Sequence, residues 1–128
     1  MSDETILIDG KINEGGGQMI RTALSLSMIT TKPFKIINIR KNRKTPGLKP
    51  QHHNIIKALL DISDSKCDNN QIGAEELTFI PKKITNHKIN IDVKTAGSIT
   101  LIIQALLPIF IFGKKKTTIN IIGGTNVQ

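Results

Sequence analysis

The residues best suited to chemistry gather near the start of the chain, in the stretch NEGGGQMIR. Glu14 precedes three consecutive glycines, and Gln18 and Arg21 follow them. Gln18 and Arg21 are three residues apart, so they share one side of the helix predicted there. Bare backbone at the start of a helix can approach an anion, because the first N–H groups have no partner and the helix dipole is positive there. The alternative interpretation is a flexible glycine turn before a solvated helix face.

A second group of such residues lies in a basic loop and the helix predicted after it. Arg40 and Arg43 belong to the loop RKNRKTPGLKP. Guanidinium groups on such a loop suit bidentate phosphate binding, although they are equally compatible with ordinary surface charge. His52 precedes Ile55 by three residues, which places it beside the core face. It either ends that apolar face or lies at the mouth of a site, where it donates to phosphate or carries a proton.

A third group lies in the apolar stretch TAGSITLIIQALLPIFIF. Thr100, Gln104 and Pro108 recur every four residues, so they form one stripe on an otherwise apolar helix. Gln104 then either faces a specific partner or is a buried amide satisfied by backbone. Ser98 is predicted as the N-cap of this helix. The polar stripe of the first helix is expected to include Ser25, seven residues after Gln18.

Metal and disulfide chemistry find little support in the sequence. Cys67 is the only cysteine, so it forms no disulfide framework. His52 and His53 are adjacent and diverge on a helix, and His87 is isolated. We therefore expect no structural metal site built from these groups.

The hydrophobic pattern predicts an α/β protein in which helices pack on a sheet. Strands are expected at residues 5–10, 34–39, 76–81, 88–93 and 117–122, with a short one near 68–72, and helices at 18–29, 51–63 and 98–112.

This order describes repeated β-α-β-α-β-β units. Residues 1–82 form the first unit, and residues 83–128 start a second that is incomplete. An incomplete unit exposes a sheet edge and helix faces. We therefore expect the chain to be the N-terminal part of a longer protein, or to pair with another chain, including a second copy of itself.

The composition limits the classes of partner. The chain has 128 residues and a net charge of +8, which suits a polyanion such as RNA or a nucleotide, or reflects a lysine-rich composition. Its aromatic residues are four phenylalanines, so recognition of bases by an aromatic cluster is not expected. The longest apolar run is too short for a membrane span, and the N-terminus lacks a secretion signal. We expect no membrane partner and an intracellular protein, in the cytoplasm or, if the source is eukaryotic, the nucleus.

Several of these stretches resemble the RNA 3′-terminal phosphate cyclase family. The segment NEGGGQMIRTALSLSMITTKPFKIINIRKNRKTPGLKPQH is similar to its N-terminal signature, and TAGSITLIIQALLP and IIGGTNV follow in the family's order. The likeness extends from Ile8 to Val127 and is weakest over residues 65–87. The resemblance implies a fold of repeated β-α-β-α-β-β units, in agreement with the predicted order.

The resemblance implies an ATP-dependent enzyme that converts an RNA 3′-phosphate into a 2′,3′-cyclic phosphodiester. An enzyme histidine attacks the α-phosphate of ATP, AMP passes to the RNA 3′-phosphate, and the 2′-hydroxyl then displaces AMP. A divalent cation, normally Mg²⁺, assists at the triphosphate. The implied substrates are thus ATP and RNA 3′ ends.

The matching motifs also imply site residues. Arg21, Arg40 and Arg43 would meet phosphates, and Glu14, Arg21 and His52 would support catalysis, with Glu14 beside the metal. The nucleotide would contact Glu14, Gly15, Gly16, Gly17, Gln18, Gln51, His52 and Gln104.

Two departures from the family pattern affect these expectations. Asn13 stands where the family usually has glycine. The histidine that receives AMP lies near the C-terminus in the family, and no histidine here matches its motif. We therefore expect this chain alone to lack the adenylylation step. The alternatives are a non-catalytic relative that acts in ribosome assembly, and an inactive fragment.

Overall fold

A computed structural model describes residues 4–12, 17–93, 96–113 and 116–123 of the chain. The elements in these ranges are β1 (Ile6–Asp9), α1 (Gly17–Thr30), β2 (Phe34–Ile37), α2 (Pro50–Ile62), β3 (Lys66–Asp68), β4 (Leu77–Ile80), β5 (Lys88–Val93), α3 (Ala96–Gly113) and β6 (Thr118–Gly123). This order confirms the predicted alternation of strands and helices and the α/β class.

The described strands form two sheets rather than one. The first has the order β1-β2-β4-β3, in which β1 and β2 are parallel and the other neighbours are antiparallel. The second consists of the parallel pair β5 and β6. Parallel neighbours need a long crossover connection, which α1 supplies in the first sheet and α3 in the second. The first sheet is thus a complete β-α-β-α-β-β unit, and the second sheet with α3 is a β-α-β unit.

Two strand ends differ from the prediction because of backbone turns. β2 ends at Ile37 instead of residue 39, since Asn38 adopts a φ of 55°. The short strand β3 ends at Asp68, where it was expected to begin, and Asn69 has a φ of 61°. Asparagine tolerates the left-handed region better than most residues, so each of these residues ends its strand in a turn.

One cluster of buried side chains includes residues from both sheets. Helix α2 is central to it, because α2 packs against β5 and α3 as well as α1. Its residues Ile55, Ile56 and Leu59 are fully buried. Each such side chain contributes about 1.5–3 kcal/mol of hydrophobic free energy. The two sequence units therefore share a core, and their boundary near residue 82 stays a prediction about the repeat.

Helix α3 is buried on one side only. Ile102 and Leu106 are inaccessible to solvent, whereas Leu107 and Ile111 are 47% and 63% exposed. The prediction of a buried helix is therefore right for one face of α3 and wrong for the other, since the described chain packs nothing against that second face. No helix among the described residues is long and apolar enough to cross a membrane.

The start of α3 also differs from the prediction. The helix begins at Ala96, so Ser98 lies inside the first turn and is not the N-cap. The predicted cap thus lies two residues beyond the first residue of the helix.

Candidate functional site

A polar pocket of about 200 Å³ lies where the start of α1, the loop after β2 and the first turn of α2 meet. This polar pocket is lined by Gly17, Gln18, Arg21, Arg40, Arg43, Lys49, Gln51 and His52. All of these except Lys49 were identified from the sequence. Residues up to 35 positions apart in the chain therefore meet in one cavity, as the difference between Gly17 and His52 shows.

The first turn of α1 supplies an amide and a guanidinium to this pocket. Arg21 Nη2 donates to Gln18 Oε1 at 3.3 Å, as their predicted shared side requires. Ser25 was expected on the same stripe, but it is buried and its hydroxyl donates to the carbonyl of Ala105 in α3. Ser25 still lines the same groove between α1 and α3 as Gln18 and Arg21, so the three residues share one side of α1 as predicted, and α3 buries the last of them.

The basic loop is held in place by one of its own arginines. Arg40 is buried, has a φ of 48°, and its Nη1 donates to the carbonyls of Thr45 and Gly47 at 2.6 and 2.8 Å. Burial, with a smaller contribution from Arg43, lowers the pKa of Arg40. One nitrogen of the predicted phosphate ligand Arg40 thus organises the loop, while the residue also lines the polar pocket.

The ring of His52 is buried at the pocket and hydrogen-bonded through one nitrogen. Its side chain is fully buried, and its Nδ1 accepts from the backbone N–H of Lys49, the N-cap of α2, at 3.1 Å. Glutamate or glutamine usually fills this role at the third helical position. Because Nδ1 accepts, the proton of the neutral ring is on Nε2.

The Nε2 atom of His52 has no hydrogen-bond partner among the described residues. A buried donor left unpaired costs about 1–3 kcal/mol, so such groups commonly await a ligand or water. Both interpretations of His52 thus apply: it ends the apolar face of α2, and it points a donor toward the pocket.

Gly17 brings the backbone of α1 against this donor. A Cβ placed on Gly17 would lie 2.4 Å from Nε2 of His52 and 3.1 Å from Nη1 of Arg21. No side chain fits in that space unless His52 moves. The third glycine therefore lets the backbone of α1 pack directly against the His52 ring, which favours close backbone approach over the flexible-turn interpretation at Gly17.

Burial, together with the charge of the pocket, determines the protonation state of His52. Burial, followed by the positive charges of Arg21, Arg40 and Lys49, lowers the pKa of His52 to about 4. The imidazole is therefore neutral near pH 7 and acts there as a hydrogen-bond donor. A proton-carrying role, which the sequence left open, does not fit this pKa.

Lys49 is the residue that sequence reasoning missed. It lines the polar pocket and adds positive charge beside His52. The available signal was its position directly before Pro50, since proline favours the first helical position and so marks Lys49 as the cap.

Other predicted site residues lie beside the pocket or outside the described residues. Gln104 is exposed and lines a groove of about 250 Å³ between α1 and α3, together with Gln18 and Arg21. This interhelical groove adjoins the polar pocket through those two residues. Its exposure excludes the buried-amide interpretation. Glu14, Gly15 and Gly16 lie outside the described residues.

The other histidines are separated from His52. His53 points away from the polar pocket, and its Nδ1 lies 3.1 Å from Oδ1 of Asn70. His87 lies on the connection before β5, with Nδ1 3.4 Å from Oγ1 of Thr117. This confirms that His52 and His53 diverge.

The described lining of the polar pocket suits an anion. It combines three arginine or lysine side chains besides the loop-bound Arg40 with an unpaired N–H donor. Its volume is below the roughly 300–1,000 Å³ of sites that enclose a whole small molecule. The pocket therefore matches one phosphate group of a ligand, and the rest of that ligand extends into the interhelical groove. The described lining has no carboxylate and fits a divalent cation poorly.

The chain is similar in sequence to a family of known proteins. The sequence model of the family described as RNA 3′-terminal phosphate cyclase matches residues 12–128. A protein of that name from Pyrococcus furiosus is 51% identical over 123 residues, which cover 96% of this chain and 36% of the relative. One from Saccharolobus islandicus is 52% identical over 123 residues, 95% of this chain and 36% of the relative.

A third protein of the same name, from Thermococcus sibiricus, is 50% identical over 121 residues, which cover 94% of this chain and 35% of the relative. The chain thus spans about a third of the length of the curated relatives it matches. From the extent of the family match and the identity to these relatives, the chain belongs to the RNA 3′-terminal phosphate cyclase family.

Proposed function

We propose that this chain forms the phosphate-binding part of an enzyme that uses ATP to cyclise the 3′-phosphate of RNA. The observation that supports this most directly is the unpaired Nε2–H of His52, which faces the bare backbone of Gly17 in a basic pocket. Membership of the family supplies the reaction class.

The proposed reaction has three covalent steps. An enzyme histidine outside this sequence attacks the α-phosphorus of ATP and expels pyrophosphate. The RNA 3′-phosphate then attacks that phosphorus, so AMP leaves the histidine and joins the RNA. Finally the 2′-hydroxyl attacks the activated 3′-phosphorus, loses its proton and expels AMP, which closes the cyclic phosphodiester.

In this scheme the described residues bind and orient phosphates. Arg21, Arg43 and Lys49 offset the charge of the phosphates, and Nε2 of His52 donates to one oxygen. Gln104 contacts the nucleotide from the interhelical groove. Mg²⁺, when bound beside Glu14, would offset further phosphate charge.

The binding role is tested with two substitutions of His52 in this chain. His52→Asn keeps an acceptor near Nδ1 for the Lys49 N–H but removes the donor at Nε2, whereas His52→Gln retains a donor near Nε2. We expect His52→Asn to weaken ATP binding by about 10-fold or more, since a hydrogen bond to a charged group contributes about 1.5–3 kcal/mol, and His52→Gln to weaken it less. Isothermal titration calorimetry with ATP measures both, and equal affinities for all three proteins would refute the role.

The catalytic role is tested in a chimera in which this chain replaces the matched segment of the Pyrococcus furiosus relative. With ATP and 3′-phosphorylated RNA, the chimera should form cyclic ends, detected by their resistance to phosphatase. Binding of ATP and RNA without any cyclisation, in a chimera that folds, would instead favour the non-catalytic alternative.

The 128-residue chain by itself should form no covalent AMP adduct with ATP labelled at the α-phosphate. A labelled protein band that survives denaturation would show that the nucleophile lies within this sequence.

A further inference from the structure

A second basic cavity lies at the other end of α1, where the proposed function uses no residue. This lysine pocket, of about 310 Å³, has Lys82, Lys83 and His87 at its rim and Met28, Ile109 and Phe112 among its apolar lining. It forms where the C-terminal ends of α1 and α3 meet the connection between β4 and β5.

The backbone beneath the two lysines is held in place. The N–H of Lys82 donates to Oγ of Ser65 at 2.8 Å, and the carbonyl of Lys83 accepts from the N–H of Asp64 at 3.1 Å. Both residues nevertheless remain exposed. The charges are thus presented from a fixed connection to solvent.

The lysine pocket is connected to the polar pocket by the interhelical groove. The groove shares Gln18 and Arg21 with the polar pocket and Ile29 with the lysine pocket. The three cavities therefore follow one side of α1. None of the described residues that line them is acidic.

The separation along α1 corresponds to a few nucleotides. Arg21 and Met28 are seven residues apart, which is about 10 Å of helix at a rise of about 1.5 Å per residue. Stacked nucleotides in a strand are about 3.4 Å apart. A strand that ends near Arg21 therefore reaches the lysine pocket about three nucleotides before its end.

We propose that the lysine pocket binds RNA three or more nucleotides upstream of the 3′ end whose phosphate occupies the polar pocket. This inference rests on the proposed function. Lys82 and Lys83 contact backbone phosphates, and Phe112, which is 67% exposed, offers its ring to one base. A basic rim and an acid-free track match a polyanionic strand better than an uncharged protein segment.

The experiment compares RNA lengths on this chain. Fluorescence anisotropy measures the affinity of a 3′-phosphorylated dinucleotide and of a 3′-phosphorylated decanucleotide, each labelled at its 5′ end. The dinucleotide reaches only the polar pocket, whereas the decanucleotide spans both. The double variant Lys82→Ala/Lys83→Ala should weaken the decanucleotide by about 10-fold at 0.1 M salt and leave the dinucleotide unchanged, because each lost phosphate contact reduces the salt slope by about 0.7.

Two further variants separate charge from position and stacking. Lys35→Ala/Lys57→Ala removes the same charge from exposed lysines that line none of the three cavities, and should change the affinity ratio of the two RNAs by less than about twofold. Phe112→Leu keeps an apolar side chain but loses the ring face, so it should weaken the decanucleotide by about fivefold.

The outcomes distinguish this inference from the proposed function. If the dinucleotide binds and the length dependence is absent, or if Lys35→Ala/Lys57→Ala matches Lys82→Ala/Lys83→Ala, the lysine pocket does not bind RNA and the proposed function stands. If neither RNA binds and ATP does not bind either, the proposed function fails and this inference fails with it.

Discussion

At the scale of residues, the candidate site depends on a close pair. His52 has one ring nitrogen engaged by the backbone of Lys49 and the other buried and unpaired, and the backbone of Gly17 lies directly against that second nitrogen. The pocket thus combines a buried donor of known tautomer with bare backbone that lies directly against it. This combination suits a phosphate oxygen.

The role of Gly17 leads to a direct prediction. Gly17→Ala should weaken ATP binding about 10-fold or more, because its Cβ would displace Nε2 of His52. Helix propensity alone would favour alanine by up to about 1 kcal/mol, so lost binding would not reflect a poorer helix. Calorimetric titration measures the affinity.

Gly113→Ala is the matched control, since a Cβ there meets no atom within 4 Å. It should leave ATP binding unchanged. If Gly17→Ala binds ATP as well as the unaltered protein, then the space beside His52 is not part of the site.

The pKa of His52 predicts a pH dependence of stability. It falls from 6.5 to about 4 on folding, so between these values the unfolded chain binds more protons than the folded chain. The free energy of unfolding therefore rises with pH across this window. The contribution of His52 to stability is lost as the pH falls from about 6.5 toward 4. The full effect is about 3 kcal/mol, at 1.36 kcal/mol per pKa unit.

Urea denaturation between pH 4 and 7 measures this pH dependence of the free energy of unfolding. Other groups titrate in the same window, so the difference from His52→Asn isolates the histidine. The variant should show a shallower decline in stability at acid pH; parallel curves for the two proteins would contradict the buried, neutral state of His52.

At the scale of elements, α1 and α3 position the site by packing side by side. The buried hydroxyl of Ser25 donates to the carbonyl of Ala105 and joins the two helices. Both residues of this contact line the groove that Gln18, Arg21 and Gln104 also line. The relative placement of these three side chains therefore depends on a polar contact as well as on apolar packing.

Ser25→Ala should lower the free energy of unfolding. A net hydrogen bond is worth about 0.5–1.5 kcal/mol, partly offset by the better helix propensity of alanine. Thr22→Ala, at an exposed position one turn earlier, reports the propensity gain without that bond. Urea denaturation should place Ser25→Ala about 1 kcal/mol below Thr22→Ala, and equal stabilities would show that the contact is dispensable.

At the scale of the whole molecule, an apolar surface remains exposed on α3. Ile103, Leu107 and Ile111 recur every four residues and are 36%, 47% and 63% exposed. Exposed apolar patches are typical of interaction surfaces. The sequence analysis predicted either that the chain is part of a longer protein or that it pairs with a second copy. The rest of that protein or the second copy would then cover this face.

Leu107→Lys tests whether this face drives self-association. Because the side chain is half exposed, the substitution should change the free energy of unfolding by no more than about 0.5 kcal/mol. It should also lower the concentration-dependent mass measured by light scattering, if the unaltered chain self-associates through α3. An unchanged mass in the variant of an associating protein would place the contact elsewhere.

The sequence was most informative about local structure. Strand β5 was predicted with the bounds that the structure has, because its alternating residues require one buried face. The first helix and α2 were predicted within one residue at each end. The C-terminal end of β2 and the position of β3 were missed, since single residues with positive φ interrupt an otherwise strand-like pattern.

Most of the described residues of the candidate site were also predicted from residue types, and Lys49 was the one that was missed. Arginines, glycines and a histidine in this order indicated phosphate chemistry. The sequence could not show that Nη1 of Arg40 donates hydrogen bonds within its own loop. Those bonds depend on carbonyls five and seven residues away, which come within reach only after the loop has folded.

The sequence by itself determined the family, the alternation of strands and helices, and the side of its own helix on which each residue lies. Those follow from motif order and from the fixed periods of helix and strand. Only the tertiary structure decided which side chains from different elements lie together. Helix α3 buries Ser25, and Arg21, Arg40 and Lys49 surround His52. The burial and charge that keep His52 neutral come from separate elements, and their meeting is a property of packing that no local period encodes.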